Sequence, residues 1–325
     1  MIDPQAAARF RRLGTLTIFA VYLVILAGGI VRASGAGMGC PDWPTCFGQW
    51  VPPTDESQLP ANYHEIYAHG YENTTFNPVK TWTEYANRLV GVTIGFLIFL
   101  TAWSSRIYLK ADKPTFYLAV LAFLLVGFQG WLGSAVVASN LKPLMITLHM
   151  LLALFIVALL IYGISRSQKP LLCAINADWV SDRFRLVLKI VMAMTLIQVA
   201  MGTQVREAVD FIAHEHSYIE REYWRDSFPL IFYVHRSFSS LILFTNLWLV
   251  WTIHKQVEKN SLLLKVAYVL MGLIVTAILA GVSLDRLGFP AVSQPIHLLM
   301  ANLIFGAQFF LFICLHYANR QSTPK

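Results

Sequence analysis

Residues 143–165 read PLMITLHMLLALFIVALLIYGIS, and this stretch decides the fold: its 23 residues hold no Lys, Arg, Asp or Glu. A helix of that length, rising about 1.5 Å per residue, crosses a hydrocarbon layer of about 30 Å. Apolar and polar positions do not alternate, so a barrel strand is excluded. Working outward, seven more runs of the same kind cover approximately 13–32, 85–105, 116–139, 186–205, 229–253, 264–284 and 292–318. The whole chain agrees with them. Hydrophobic residues make up 56% and charged residues 13% of the 325, where a soluble domain carries about 25% charge. Lipid is the solvent for most of this protein. The fold class is therefore an all-α integral membrane protein with eight spanning helices.

The first run follows Arg9, Arg11 and Arg12 as a signal peptide would, but Gly28 and Gly29 lead into Arg32 without a small-x-small cleavage site. It reads as a retained helix. With the N-terminus inside, 16 of the 25 Lys and Arg fall on the inner side, leaving nine outside. That bias orients both termini toward the cytoplasm and places two long loops, roughly 33–84 and 206–228, outside. The net charge of +7 is spread over one side of the membrane and gives no reason to expect nucleic acid as a partner.

Sliding the chain by 148 residues lays spans 2–4 on spans 6–8 without a gap. Tyr85 falls on Tyr233, Arg88 on Arg236, Trp103 on Trp251, Gly133 on Gly281, His149 on His297 and Ala153 on Ala301. Spans 1 and 5 match at another offset, Gly-Ile-Val-Arg ending at Arg32 beside Thr-Gln-Val-Arg ending at Arg206. The expected architecture is two tandem four-helix bundles, residues 1–165 and 166–325, in the same orientation.

Nine histidines occur. His254 and His316 sit at inner helix ends, and His64, His69, His214 and His216 lie in outer loops. His149, His235 and His297 differ, because each lies inside a span, about 10 Å below the outer surface. An ionisable residue at that depth points to function, against the alternative of a neutral imidazole bonded across helices. No carboxylate flanks them in spans 6 and 8, and no cysteine flanks any of the three, so zinc and di-iron sites are poorly supplied. Two imidazoles on antiparallel helices instead suit axial ligation of haem. His235 and His297, 62 residues apart, form one such pair, and Arg236 beside the first could meet a haem carboxylate. The repeat places the matching pair at position 87 and His149, but position 87 is Asn. One site is thus built for a saturated iron and the other for an open one, which substrate or oxygen chemistry requires. Glu84 lies one turn before Asn87. It reads either as a favourable acid in a first helical turn or as a carboxylate aimed at whatever His149 holds.

Residues 35–54 read GAGMGCPDWPTCFGQWVPPT, a turn-rich loop on the oxidising side. Cys40 and Cys46 can form a disulfide there, either a structural staple or an exposed, reducible bond. Cys173 and Cys314 lie at the inner side as ordinary core residues or free thiols.

These residues together resemble the haem A synthase family of cytochrome oxidase assembly. The resemblance is carried by Gly37-Met38-Gly39-Cys40-Pro41-Asp42-Trp43-Pro44 with Cys46, by Glu84-Tyr85 and Arg88, by His149, by Val205-Arg206-Glu207, by His235-Arg236, and by Gln294-Pro295-Ile296-His297. It implies an oxidoreductase of the bacterial cytoplasmic membrane that oxidises the C8 methyl of haem O to a formyl group, giving haem A. It further implies a haem b on His235 and His297, and a substrate haem on His149 in the N-terminal bundle with Arg88 and Asn87 at that site. Glu84 would act in the chemistry, and Cys40 and Cys46 would form an electron-relaying pair. Expected partners are haem O from a haem O synthase, lipid, an electron donor and cytochrome oxidase. The chain departs from the family where Glu-x-x-His-Arg becomes Glu84-Tyr85-Ala86-Asn87-Arg88. A five-coordinate haem on His149 is the expectation, with a loop histidine (His64 or His69) folding in, or lost catalysis, as the alternatives. The rival functions are a non-enzymatic cytochrome b electron carrier and a haem chaperone.

Overall fold

The computed structural model describes residues 2–67, 75–215 and 224–318, without the side chains of 213–215, 225 and 226. Eight helices are long and apolar enough to cross a membrane. They are α1 (Pro4–Ala33), α2 (Pro78–Ser104), α3 (Lys113–Ala138), α4 (Pro143–Arg166), α5 (Asp182–Glu215), α6 (Leu230–Gln256), α7 (Leu262–Arg286) and α8 (Ser293–Tyr317). Among the described residues there is no strand, only one isolated bridge between Cys46 and Gln49. The protein is a multi-pass membrane protein, and its large outward side chains are apolar, as Phe19, Val92, Leu124 and Phe244 illustrate.

Several helices begin earlier or end later than their apolar stretches, because polar end residues are capped and continue the helix. Asp3 accepts from the backbone of Gln5 and Ala6 ahead of Pro4, so α1 starts nine residues before position 13. Asn77 accepts from the Lys80 N–H ahead of Pro78, which moves Glu84 from a first turn into the second turn of α2. Helix α5 continues to Glu215, which leaves less of 206–228 as loop.

Helices α1, α2, α3 and α4 pack in a ring, each against the next and α4 back onto α1. Helices α5, α6, α7 and α8 do the same, and α8 seats against both α1 and α4 while α4 also meets α5. The α1–α8 contact is close because Gly306 faces Tyr22: a Cβ at Gly306 would stand 2.0 Å from the Tyr22 hydroxyl. Small residues at such crossings let membrane helices approach through dispersion alone. The α3–α4 turn passes through left-handed backbone at Asn140 and Leu141 (φ 53° and 59°), and the α7–α8 turn does so at Gly288 and Phe289 (φ 67° and 57°), 148 positions on.

Polar groups tie the assembly at both ends. At the end bearing the 34–77 loop, Asp210 of α5 bridges Arg32 of α1 at 2.9 Å and Arg206 of its own helix. At the opposite end Arg166 of α4 holds Asp112 through Nη2 at 2.7 Å and donates to the Tyr317 hydroxyl of α8 at 3.0 Å. There Arg106 and Lys255 lie over the rings of Trp103 and Trp251, 3.3 and 3.8 Å from their centres.

Candidate functional site

The cysteine loop is fastened to α2 side chain by side chain. Thr81 donates to the Gly39 carbonyl at 2.9 Å, and an added Cβ at Gly39 would fall 2.4 Å from the Lys80 carbonyl oxygen. Only glycine permits that approach. Glu84, 4% exposed, accepts from the Cys40 N–H at 2.7 Å and from Arg88. Arg88 donates further to the carbonyls of Asp42 (2.6 Å), Thr45 (2.9 Å) and Cys40 (3.0 Å). Asp42 in turn accepts from the Thr45 hydroxyl and the backbone of Phe47 and Gly48. Within this clasp Cys40 and Cys46 are joined as a disulfide, and both are fully buried beside Phe47 and Tyr63. Of the two alternatives for this bond, the exposed one does not hold: Phe47, Tyr63, Tyr67 and Phe76 pack around it. Burial and a hydrogen bond to Glu56 raise the Tyr63 phenol above its ordinary range.

Glu84, Asn87 and Arg88 also line a cavity of about 1760 Å³, larger than the roughly 300–1,000 Å³ of ordinary small-ligand sites. His149 of α4 stands in the same wall. Among the described residues, its Nδ1 and the Asn87 Oδ1 are buried without a hydrogen-bond partner. Its ring packs on Gly133 of α3, 3.4 Å from where a Cβ would be, and Gln129 of α3 donates to its backbone carbonyl at 2.9 Å. Buried polar atoms left unpaired in an apolar wall are what a ligand-binding site looks like before its ligand is counted. His64 instead lies tilted against Tyr63, ring centres 4.0 Å apart, and does not line the cavity, and His69 lies outside the described residues.

In the other ring of helices His235 and His297 face each other, ring centres 6.3 Å apart. Two imidazoles on opposite sides of one metal ion, each bonded at about 2.0–2.1 Å, set their ring centres roughly 6 Å apart. His297 Nδ1 lies 2.8 Å from the Ala277 carbonyl and can only donate there, which leaves Nε2 as the free lone pair. Gln198 donates to the His235 carbonyl at 3.0 Å, and Gly202 and Gly281 give the two rings room, 3.4 and 3.2 Å from their would-be Cβ positions. A bound haem fits this donor set. Arg236 pairs with Asp285 at 3.6 Å and lies over Tyr233, and it remains about half exposed. Among the described residues no group of three or more His, Cys, Asp and Glu could hold a metal ion.

Gln129, Gln198 and Asp210 were not singled out from sequence. An amide or carboxylate at a helix position carries no signal of its partner until the helices are packed.

Eight spanning helices, half-buried intramembrane histidines and a disulfide-closed loop clasped over one cavity define a polytopic membrane protein with two candidate ligand sites. Residues 11–309 match the cytochrome oxidase assembly protein family, COX15-CtaA, and the chain belongs to that family. It is 34% identical over 146 residues to the heme A synthase of Shewanella oneidensis, covering 45% of this chain and 42% of that protein. To the heme A synthase of Shouchella clausii it is 34% identical over 141 residues, 43% and 39% of the two chains. A third, from Geobacillus kaustophilus, is 28% identical over 159 residues, 46% and 43%. The chain thus spans about two fifths of the length of these curated relatives.

Proposed function

We propose that the protein is a haem A synthase of the bacterial cytoplasmic membrane, an oxidoreductase that converts the C8 methyl of haem O to a formyl group through the alcohol. The observation that carries this reading is the inequality of its two sites. His235 and His297 stand opposed as a pair, whereas His149 shares a large cavity with Asn87 instead of a second imidazole. Family membership and the likeness to heme A synthases support the same reading.

The two rings of helices are the two bundles, 1–165 and 166–325, with both termini in the cytoplasm. Three things support the repeat: the matched ring order, the paired left-handed turns, and histidines held on glycines at positions 133 and 281. His235 and His297 would hold haem b, which when bound supplies one-electron transfer. His149 binds the substrate haem from one side, and Asn87 on the other side leaves space and an amide that can hydrogen-bond a small molecule. Glu84 and Arg88 keep the cysteine loop closed over this cavity and shield it from water. The Cys40–Cys46 pair lies directly behind Glu84, bonded to it through the Cys40 N–H, where reduction and reoxidation would loosen and re-form the clasp. Dioxygen is the oxidant in this reading: each of the two oxidations puts one oxygen atom on the C8 methyl carbon while a membrane donor supplies the two electrons that reduce the other to water. The resulting gem-diol loses water to the formyl group, and product leaves for cytochrome oxidase.

One variant pair tests the assignment of roles. His149→Ala should abolish haem A formation while the haem b absorption spectrum of the purified protein stays intact. His297→Ala should destroy that spectrum. Loss of the haem b spectrum in His149→Ala would reverse the assignment. A haem chaperone is the second reading, favoured by Asn87 and by a Glu84 already committed to Arg88 and Cys40. It predicts unaltered haem O bound through His149.

A further inference from the structure

The cavity beside His149 continues well below it. Along α2 its wall runs from Asn87 through Gly91 and Gly95 to Ile98, and along α3 from Gly133 through Gly130 and Gly127 to Phe123. Ile98 is 11 positions past Asn87, about 16 Å along a helix. The space exists because side chains are missing. A Cβ added at Gly91, Gly95, Gly127 or Gly130 would meet nothing within 4 Å, so these glycines do not serve close helix packing. The positions 148 residues later hold Ser239, Leu243, Val275 and Ile278, and there Leu243 and Ile278 pack onto a core of Leu270, Ile274 and Ala277. What is filled in one ring of helices is hollow in the other.

The cavity is also charged at one end only. Arg32, Lys80, Lys142 and Arg206 line its loop end against Glu207 and Asp210, whereas the deep part is hydrocarbon but for Asn302, whose amide donates to the Leu298 carbonyl at 2.7 Å, and opens sideways at the exposed Gly127 and Gly130. An occupant must be anionic at the loop end, ligate or hydrogen-bond at the level of His149 and Asn87, and be a flexible hydrocarbon below. A phospholipid acyl chain satisfies the first and last of these but leaves the buried His149 Nδ1 and Asn87 Oδ1 unused.

We infer that the glycine slot between α2 and α3 houses the long hydrocarbon substituent of the porphyrin substrate, with the ring's carboxylates at the arginine end. The slot is then the specificity determinant that separates a tail-bearing haem from haem b. This rests on the reading of the His149 cavity as a porphyrin site.

Full-length protein with its haem b in place is titrated with haem O and, separately, with further haem b, which lacks the hydrocarbon tail. Binding is read by absorbance. Wild type should prefer haem O by on the order of ten-fold or more. Gly95→Leu with Gly130→Ile, residues borrowed from positions 243 and 278, should bring the two affinities to within about two-fold by weakening haem O alone. Gly127→Val serves as a milder filling of the same slot, and the unchanged spectrum of the resident haem b reports that each variant is folded. A filled slot that keeps the preference for haem O overturns the inference, as does a wild type without preference that retains phospholipid when haem O binds. Absence of any second haem on wild type, or binding indifferent to His149→Ala, would instead sink the porphyrin-site reading beneath it.

Discussion

Arg88 bonds to one carboxylate and three loop carbonyls, so its loss leaves several buried groups without partners. Removing one member of a buried ion pair costs about 3–5 kcal/mol. Arg88→Met is therefore expected to lower thermal stability by that order and to expose Cys40 and Cys46 to a reductant and alkylating agent. An Arg88→Met protein whose disulfide stays as protected as wild type would show that the clasp is not what buries it. Asn87 is the other decisive residue. Asn87→His should supply the missing second imidazole, give a low-spin, two-histidine spectrum in the N-terminal site and suppress product; an unchanged high-spin signal would mean that position 87 does not face the iron. Much of this was legible in the sequence, because His149, His235, His297 and the Cys-loop are rare residue types in a chain otherwise of Leu, Ile, Val and Phe. Glu84 was legible as a position but not as a contact: it is held by the Cys40 N–H, 44 residues away in sequence, and no local pattern announces that.

At the scale of elements, α1 meets α8 through Gly306 and Tyr22, and α1 meets α5 through Arg32 and Asp210. The first contact is packed and the second half-exposed, so they should differ in weight. Gly306→Val forces Tyr22 aside and is expected to cost about 1–3 kcal/mol, measured as a lower melting temperature in detergent. Gly272→Ala, where a Cβ meets nothing within 4 Å, should be neutral within about 0.5 kcal/mol. Equal effects would mean that the α1–α8 crossing is loose. All eight spans could be read from hydropathy, since lipid demands long apolar runs. Their ends could not. Asp3, Asn77 and the polar tail of α5 belong to helices because of caps and neighbours beyond the hydrocarbon, where hydropathy carries no signal. The glycines of the deep slot were equally silent. A glycine in a membrane helix can mean close packing, as at Gly306, or empty space, as at Gly95, and only the packed helices distinguish them.

For the whole molecule, the proposed orientation rests on Lys and Arg, of which it puts 16 of 25 on the cytoplasmic side. A protease-cleavable tag at either terminus is expected to resist digestion in right-side-out vesicles and be cut in inverted ones. Cleavage in right-side-out vesicles would invert the topology and put the disulfide loop in a reducing compartment, contrary to the bond between Cys40 and Cys46. The proposed 148-residue repeat connects this scale to the chemistry. One architecture is used twice, once with two imidazoles and a filled interior, once with a single imidazole and a cavity of about 1760 Å³. On the proposed function, that difference is what separates a site that keeps its haem from one that must admit and release it.

The most direct measurement is extraction and chromatography of haem from cells that make haem O, with and without this protein. The account predicts haem A only in cells that contain the protein, and none when His149 is replaced by Ala. Haem O left unchanged, with the purified protein carrying haem b alone, would contradict it.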